Sequence, residues 1–151
     1  MSARRTVLVV NGPNLNLLGT RQPQLYGTET LADVEALVRE KAAAHDLAVD
    51  FFQSNWEGAI LDRLHEARGS AAGVIINPGG LSHVSVVLLD ALLAVEIPVV
   101  EVHVTNIHRR EDFRRHSYVS LAADAVIAGA GVAGYGFAVE YLASKLRAAA
   151  P

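Results

Sequence analysis

The chain has 151 residues, of which 51% are hydrophobic and 19% charged, and its formal net charge is −3. This length suits one domain with a proper core, so we expect a single domain over residues 1–151. The acidic balance offers no basic surface for nucleic acid, and the absence of cysteine removes thiol nucleophiles, disulfides and cysteine-ligated metals.

The N-terminal stretch predicts neither export nor membrane insertion. MSARR is followed only by the short run Thr6–Val10, which is too brief for the apolar part of a signal peptide and has no cleavage site after it. Elsewhere no apolar run approaches the ~20 residues of a membrane span. We therefore expect a soluble, cytoplasmic protein without a membrane partner.

Short β-branched or apolar runs alternate along the chain with stretches of helical spacing. The predicted strands are Thr6–Val10, Ala48–Gln53, Gly73–Asn77, Ile97–Val102 and Asp124–Ala128. The first predicted helix begins at Leu31, after a Thr30–Asp33 capping box, and Lys41 and His45 close its far end. The second covers Trp56 to about Ala67, with Ser54 and Asn55 as its cap. The remaining predicted helices are Ser82–Val95, a short one near Glu111–Arg115, and Tyr135–Arg147. This alternation predicts an α/β fold, a flavodoxin-like doubly wound sandwich with a five-stranded parallel sheet.

The loop after the first strand, NGPNLNLLGTRQPQLYG, is the longest feature that the strand pattern leaves unexplained. It covers about seventeen residues, against roughly 2–6 for an ordinary strand-to-helix connection, and such loops are often lids or binding loops. Arg21 and Tyr26 share a segment that we predict to be non-helical, held between Pro23 and Gly27. A cation beside a phenol favours the phenolate, which would make Tyr26 a base. A surface turn with a solvated Arg21 and a packed Tyr26 explains the loop equally well.

Polar residues follow the first four strands, and parallel strands deliver them to one edge of the sheet. Glu101 and His103 are two apart on a strand, so their side chains leave the same face, and a carboxylate beside an imidazole makes a competent general acid. The alternative is that Glu101 and His103 form a solvent-exposed pair at the edge of the sheet. The loop opened by Thr105 and Asn106 has backbone N–H groups that could hold a carboxylate. One inward-facing arginine among Arg109, Arg110, Arg114 and Arg115 would suit an anionic ligand.

Several other features favour no chemistry by themselves. His83 suits a cap or a surface position, and Asp90 amid VVLLDALL suggests either pairing or an interface. Trp56 suggests a packing residue, and Glu57 an acid stabilised by the dipole at the start of a helix.

The segment Gly129–Gly134, GAGVAG, matches GxGxxG, but no following strand with an acidic residue is available, so we predict close helix–sheet packing there. His103, His108 and His116 do not form a convincing metal set. The two lysines, Lys41 and Lys145, lie in predicted helices and are poor candidates for imine chemistry.

Taken together and in this order, NGPNLNLLGTRQPQLYG, FFQSN-EG, NPGG--H, Asp90, EVHVTNIH, EDFRRHSY and GAGVAGYG resemble the type II 3-dehydroquinate dehydratases over nearly the whole chain. The resemblance implies a flavodoxin-like catalytic domain, dehydration of 3-dehydroquinate to 3-dehydroshikimate in the shikimate or quinate pathway, and no cofactor or metal. It also implies a homo-oligomer, a dodecamer built as a tetramer of trimers. A flavodoxin-like binding module without catalysis is the alternative function.

The same resemblance implies a role for individual residues. Tyr26 would be the base, Arg21 the group that lowers its pKa, and Asn14 would help to stabilise an enolate through a bound water. His103, oriented by Glu101, would protonate the departing hydroxyl. The substrate hydroxyls would be held by Asn77, His83 and Arg114, its carboxylate by the backbone of Val104 and Thr105, and Asp90 would reach the site of a neighbouring subunit. Trp56 departs from the family pattern, in which a histidine is more usual.

Overall fold

Strands and helices alternate along residues 3–150, which are the residues that the computed structural model describes. The strands are β1 (Arg5–Asn11), β2 (Leu47–Gln53), β3 (Gly73–Asn77), β4 (Val99–His103) and β5 (Ala125–Ala128). The α-helices are α1 (Pro23–Tyr26), α2 (Leu31–Ala43), α3 (Glu57–Ala67), α4 (Val86–Ala94) and α5 (Ala133–Ala149). Short 3-10 helices occupy Leu15–Leu17, Gly79–His83, Ile107–Arg109, Asp112–Arg114 and Val119–Leu121.

All five strands pair in parallel in one sheet of order β2-β1-β3-β4-β5. This is the flavodoxin-like doubly wound order, so the predicted fold class is confirmed. Alternate residues of the strands enter two separate apolar layers. Val9, Ile75 and Val102 pack with α2 and α5, whereas Val10, Ile76 and Val99 pack with α3 and α4. The sheet is therefore buried on both faces, as the β-branched runs of its central strands predict.

The register brings the carboxyl ends of the strands to one edge. Asn11 pairs with Gln53 on one side and with Asn77 on the other, and His103 pairs with Ala128. The chain reverses its winding between β1 and β3, and an open α/β sheet has its ligand crevice at such a point. No helix within residues 3–150 has both the length and the apolar character needed to cross a membrane.

The capping box that precedes the first long helix is confirmed. The Thr30 side chain accepts from the Asp33 backbone N–H, and the Asp33 carboxylate accepts from the Thr30 N–H, with donor–acceptor distances of 3.2 and 2.9 Å. The glycine motif also behaves as predicted, because a Cβ at Gly134 would lie only 3.3 Å from Ile127 Cγ2. Small residues there let α5 pack closely on the sheet.

Three predictions about where helices lie or begin were wrong. The segment of Tyr26 is helical, because Pro23 supplies a fixed φ at the first position of α1. Ser54 and Asn55 do not cap α3: Trp56 holds that position without a side-chain cap, while the Asn55 side chain accepts from the Asn14 N–H at 2.9 Å. Nor is Ser82–Val95 one helix, because α4 begins only after Ser85, whose hydroxyl accepts from the Leu88 N–H.

Trp56 is not a packing residue, since 79% of its surface is exposed. Its neighbour Glu57 does lie in the first turn of α3, where a carboxylate suits the helix dipole, and it accepts a hydrogen bond from the Ser85 hydroxyl.

Candidate active site

A cavity of about 180 Å³ opens at the carboxyl edge of the sheet, beside the reversal between β1 and β3. The segments that follow β1, β3 and β4 all contribute to its wall. Its lining residues are Pro13, Asn14, Leu15, Leu18, Arg21, Tyr26, Asn77, Gly79, Gly80, His83, His103, Val104, Thr105, Ile107, Arg110 and Arg114. The fold thus brings together every predicted site residue except Glu101 and Asp90.

Tyr26 lies between two guanidinium groups. The Cζ atoms of Arg21 and Arg110 are 4.9 and 5.3 Å from the centre of its ring. Partial burial acts to raise the pKa of Tyr26, but hydrogen bonds and positive charge from Arg110 and Arg21 outweigh it, so the pKa falls below the ordinary 10.0. A tyrosine in this setting can take a proton at a pH where an ordinary tyrosine cannot.

Arg110 is a site residue that the sequence does not reveal. Its side chain is only 12% exposed, and it donates to Thr105 Oγ1 at 3.2 Å. In the sequence it is one of four arginines in a polar connection, and nothing separates it there from the exposed Arg109 and Arg115. The 3-10 helix Ile107–Arg109 turns the chain so that the next residue, Arg110, points towards Tyr26.

His103 and Glu101 form a buried pair on β4, which excludes the alternative of a solvent-exposed edge pair. The imidazole Nε2 donates to Glu101 Oε2, which leaves Nδ1 for a ligand. Burial acts to raise the pKa of Glu101, but hydrogen bonds from His103, Ser120 and Ser117 and the charge on His103 lower it overall. An ionised carboxylate therefore fixes the orientation of an imidazole that lines the cavity.

His83 presents its second ring nitrogen to the cavity as an acceptor. Its Nδ1 donates to the His116 carbonyl at 2.8 Å, and its ring is 6.2 Å from that of His103. Burial is the main cause that lowers the pKa of His83 below 6.5, so the ring is neutral near pH 7. A neutral ring with Nδ1 as donor keeps a lone pair on Nε2, which suits a hydroxyl of a bound ligand.

Arg114 is held at the mouth of the cavity by Glu111. Its Nε donates to Glu111 Oε2 at 3.1 Å, and Arg110 Nε lies 3.7 Å from the other oxygen of the same carboxylate. The exposed Glu111 therefore spaces two guanidinium groups along the cavity wall. Together with Arg21 they make the wall strongly positive, which favours an anionic ligand.

Two asparagines of the cavity wall are held in place, Asn14 by a turn of its backbone and Asn77 by a buried hydrogen bond. Asn14 has a left-handed backbone, with φ of 71°, that turns the chain over the strand end. Asn77 Nδ2 donates to the Tyr135 hydroxyl at 2.9 Å, and that hydroxyl donates to Asn11 Oδ1 at 2.7 Å. Tyr135 is fully buried, and burial raises its pKa, so it acts as a neutral bridge between β1, β3 and α5.

The turn at Val104 and Thr105 is held by the glycine motif. Gly129 N–H donates to the His103 carbonyl at 3.2 Å, and Gly131 N–H donates to the Val104 carbonyl at 3.0 Å. Because these hydrogen bonds occupy the His103 and Val104 carbonyls, the backbone of Val104 and Thr105 is fixed along the cavity wall.

Asp90 does not belong to this cavity. It is exposed on α4, next to the exposed apolar side chains Val86 and Val87. Lys41 and Lys145 lie on α2 and α5, outside the cavity wall, and Lys145 pairs with Asp124 at 2.7 Å. Among the described residues no three His, Cys, Asp or Glu side chains are grouped so as to hold a metal ion.

The fold and the cavity define an α/β protein with a positively charged site that combines a tyrosine beside two arginines with a histidine on a buried carboxylate. The family model described as dehydroquinase class II matches residues 5–143, and the chain belongs to this family.

Two curated relatives and one solved structure illustrate the similarity. The 3-dehydroquinate dehydratase of Methylobacterium radiotolerans is 65% identical over 94 residues, which are 62% of this chain and 63% of that protein. The catabolic 3-dehydroquinase of Penicillium rubens is 56% identical over 94 residues, 62% of this chain and 61% of that protein. The type II dehydroquinase of Butyrivibrio crossotus superposes with a TM-score of 0.90 at 38% identity, covering 93% of this chain and 99% of that one. The aligned segment thus spans less than two thirds of the length of these curated relatives.

Proposed function

We propose that this chain is a hydro-lyase that converts 3-dehydroquinate to 3-dehydroshikimate and water by anti elimination through an enolate, within the shikimate or quinate pathway. The observation that carries the proposal is the pairing, in one cavity, of Tyr26 between two guanidinium groups with His103 on a buried carboxylate. Membership of the family and the names of the relatives agree with it.

The reaction needs a base, a stabiliser of the enolate and an acid, and the cavity has a group for each. Tyr26, as phenolate, takes the proton α to the ketone, and the electron pair moves into the carbonyl to give the enolate. Asn14 stabilises the enolate oxygen through a bound water. His103 then gives its proton to the β-hydroxyl, which leaves as water while the enolate electrons form the double bond.

The remaining residues bind and position the substrate. Asn77, His83 and Arg114 hold its hydroxyl groups, and the backbone of Val104 and Thr105 holds its carboxylate. The positively charged cavity wall complements the negative charge of the substrate's carboxylate. The segment with Arg21 and Tyr26 closes over the bound substrate, excludes water and completes the base. The reaction as written needs neither a cofactor nor a metal ion.

We also propose that the chain is one catalytic domain that works as a homo-oligomer, a dodecamer in which Asp90 reaches a neighbouring site. The exposed apolar residues Val84, Val86 and Val87, adjacent to Asp90 on one surface, favour self-association. Light scattering after gel filtration should give twelve times the chain mass of 16.1 kDa. A cytoplasmic location stays a prediction, which cell fractionation tests.

The test of the activity is ultraviolet absorbance after mixing the purified protein with 3-dehydroquinate, since dehydration creates a conjugated enone. We expect a rising signal that survives borohydride and a chelator, and a loss of nearly all turnover in Tyr26→Phe. Near-normal turnover in Tyr26→Phe would refute Tyr26 as base. A folded wild-type protein that gives no signal would leave only the non-catalytic binding module.

A further inference from the structure

The carboxylate of Glu101 has more partners than the orientation of one histidine requires. Besides His103, its Oε2 accepts from Ser117 Oγ at 2.7 Å and from Ser82 Oγ at 3.2 Å. Its Oε1 accepts from Ser120 Oγ at 2.6 Å. Ser82 Oγ is also close to Ser117 Oγ, so its single proton can go either to that oxygen or to Oε2. We call Ser82, Ser117 and Ser120 the serine cluster.

Burial makes these contacts consequential. Glu101 is 0% exposed, and an isolated carboxylate at such a depth would take up a proton instead of staying charged. Hydrogen bonds from His103, Ser120 and Ser117, together with the charge on His103, reverse that tendency and lower the pKa of Glu101. Ser117 and Ser120 are therefore one reason why His103 faces a negative charge and not a neutral acid.

The two carboxylate oxygens are held differently. Oε2 has three partners, of which His103 is one, whereas Oε1 has only Ser120 among the described residues. Ser120 thus fixes the rotation of the carboxylate group about the bond that joins it to the side chain. If Ser120 loses its hydroxyl, Oε1 is left buried without a donor, and the carboxylate can turn or take up a proton.

The serine cluster also joins the segments that carry cavity residues. Ser82 precedes His83 in the 3-10 helix Gly79–His83, and its carbonyl accepts from the Tyr118 N–H at 2.8 Å. Ser117 and Ser120 lie in the connection that carries Arg114. A single buried carboxylate therefore sets the relative position of three parts of the cavity wall.

We propose that Ser82, Ser117 and Ser120 are positioning residues for the acid step, with Ser120 as the one that fixes the Glu101–His103 pair for proton delivery to the leaving hydroxyl. This inference rests on the proposed dehydratase function. It assigns the serine cluster to the second half of the reaction and not to proton abstraction, since the three serines contact Glu101 and none of them is among the residues that line the cavity with Tyr26.

The test compares two rates in D₂O for wild type, Ser120→Ala and Ser120→Thr. One rate is the exchange of the α-proton in recovered 3-dehydroquinate, measured by NMR, and the other is enone formation. In Ser120→Ala the enolate should return to substrate more often, so the ratio of exchange to enone formation should rise roughly tenfold, the size expected for losing one hydrogen bond to a charge. Ser120→Thr keeps the hydroxyl and should bring the ratio back towards wild type.

Two further variants calibrate this ratio. His103→Ala gives the ratio when the acid is absent, and Ser144→Ala, an exposed serine on α5, should leave it unchanged. Equal loss of both rates in Ser120→Ala, or the same ratio as in Ser144→Ala, would overturn the inference and make the serine cluster purely structural. If Ser120→Ala is too unstable to assay, Ser117→Ala removes a donor to Oε2 and should also raise the ratio of exchange to enone formation. A wild-type protein without enone formation would instead refute the proposed function.

Discussion

At the scale of single residues, the lowered pKa of Tyr26 depends on two arginines and not on one. The guanidinium groups of Arg110 and Arg21 both lie close to the Tyr26 ring, and both oppose the effect of burial on its pKa. The folded protein therefore lowers the pKa of Tyr26 below 10.0, and the phenolate is present at a lower pH than in an ordinary tyrosine. Proton abstraction should start to fail as the pH falls through that lowered pKa.

Replacing Arg110 with alanine should move the acid limb of the kcat/KM profile to higher pH. Removing the guanidinium raises the pKa of Tyr26, so a smaller fraction is phenolate near neutral pH and turnover falls by roughly ten- to a hundredfold, with partial recovery at alkaline pH. The pH profile of 3-dehydroquinate turnover measures this shift.

Arg115→Ala is the matched control, because Arg115 is exposed and its ion-pair partner within residues 3–150 is the exposed Asp112. An Arg110→Ala profile that keeps its acid limb but shows a raised KM would contradict a role in activating Tyr26 and would assign Arg110 to substrate binding.

At the scale of elements, Tyr135 ties the ends of β1 and β3 to the start of α5. Its hydroxyl both accepts from Asn77 and donates to Asn11, and all three residues are buried. The order of the sheet places Asn11 and Asn77 side by side, and the Tyr135 hydroxyl links their side chains. The position of the Asn77 amide in the cavity therefore depends on a residue from the far end of the chain.

Tyr135→Phe should lower the free energy of unfolding by about 1–3 kcal/mol. The ring still fills its space, but Asn11 Oδ1 and Asn77 Nδ2 lose their partner, and unsatisfied buried polar groups cost about that much. Urea unfolding followed by circular dichroism measures the change. Tyr141→Phe, a partly buried tyrosine on the same helix, should stay within about 0.5 kcal/mol of wild type; equal effects of the two variants would refute the bridge.

The strands were predictable because β-branched runs have few alternatives, and their carboxyl ends lie as expected. The prediction failed where long-range contacts decide the local backbone. Ser82 leaves its predicted helix because its side chain reaches Glu101 and its carbonyl accepts from Tyr118. Arg110 and the serine cluster were not found for the same reason, since their partners are distant in sequence or depend on a turn. The resemblance supplied the other cavity residues that periodicity alone left undecided.

At the scale of the whole molecule, two carboxylates give the fold a dependence on acid. Burial opposes the ionised form of Glu101 and of Asp124. In Glu101, hydrogen bonds from His103 and two serines outweigh the effect of burial and lower the pKa. In Asp124, hydrogen bonds from Lys145 and the Val99 N–H outweigh the effect of burial and lower the pKa. Because the folded state then binds fewer protons than the unfolded state, both groups stabilise the fold above an unfolded pKa of about 4.

The free energy of unfolding should therefore fall as the pH is lowered from about 5 to 3, since this stabilisation is lost as the pH passes down through the folded pKa values. Urea unfolding at a series of pH values and a fixed protein concentration measures it, because association also shifts stability. Asp124→Asn should be less stable at pH 7 and should show a shallower fall. An equally steep fall in Asp124→Asn would show that Asp124 contributes nothing to the acid sensitivity.

The buried charge of Glu101 also bears on how the chain avoids misfolding. β4 lies between β3 and β5, and its neighbours Val100 and Val102 face the opposite apolar layer. If β4 slipped by one residue, Glu101 would enter that layer without partners, at a cost far above that of misplacing a valine. We expect Glu101 to discriminate against mispaired intermediates, so that the carboxylate that orients His103 also protects the fidelity of folding.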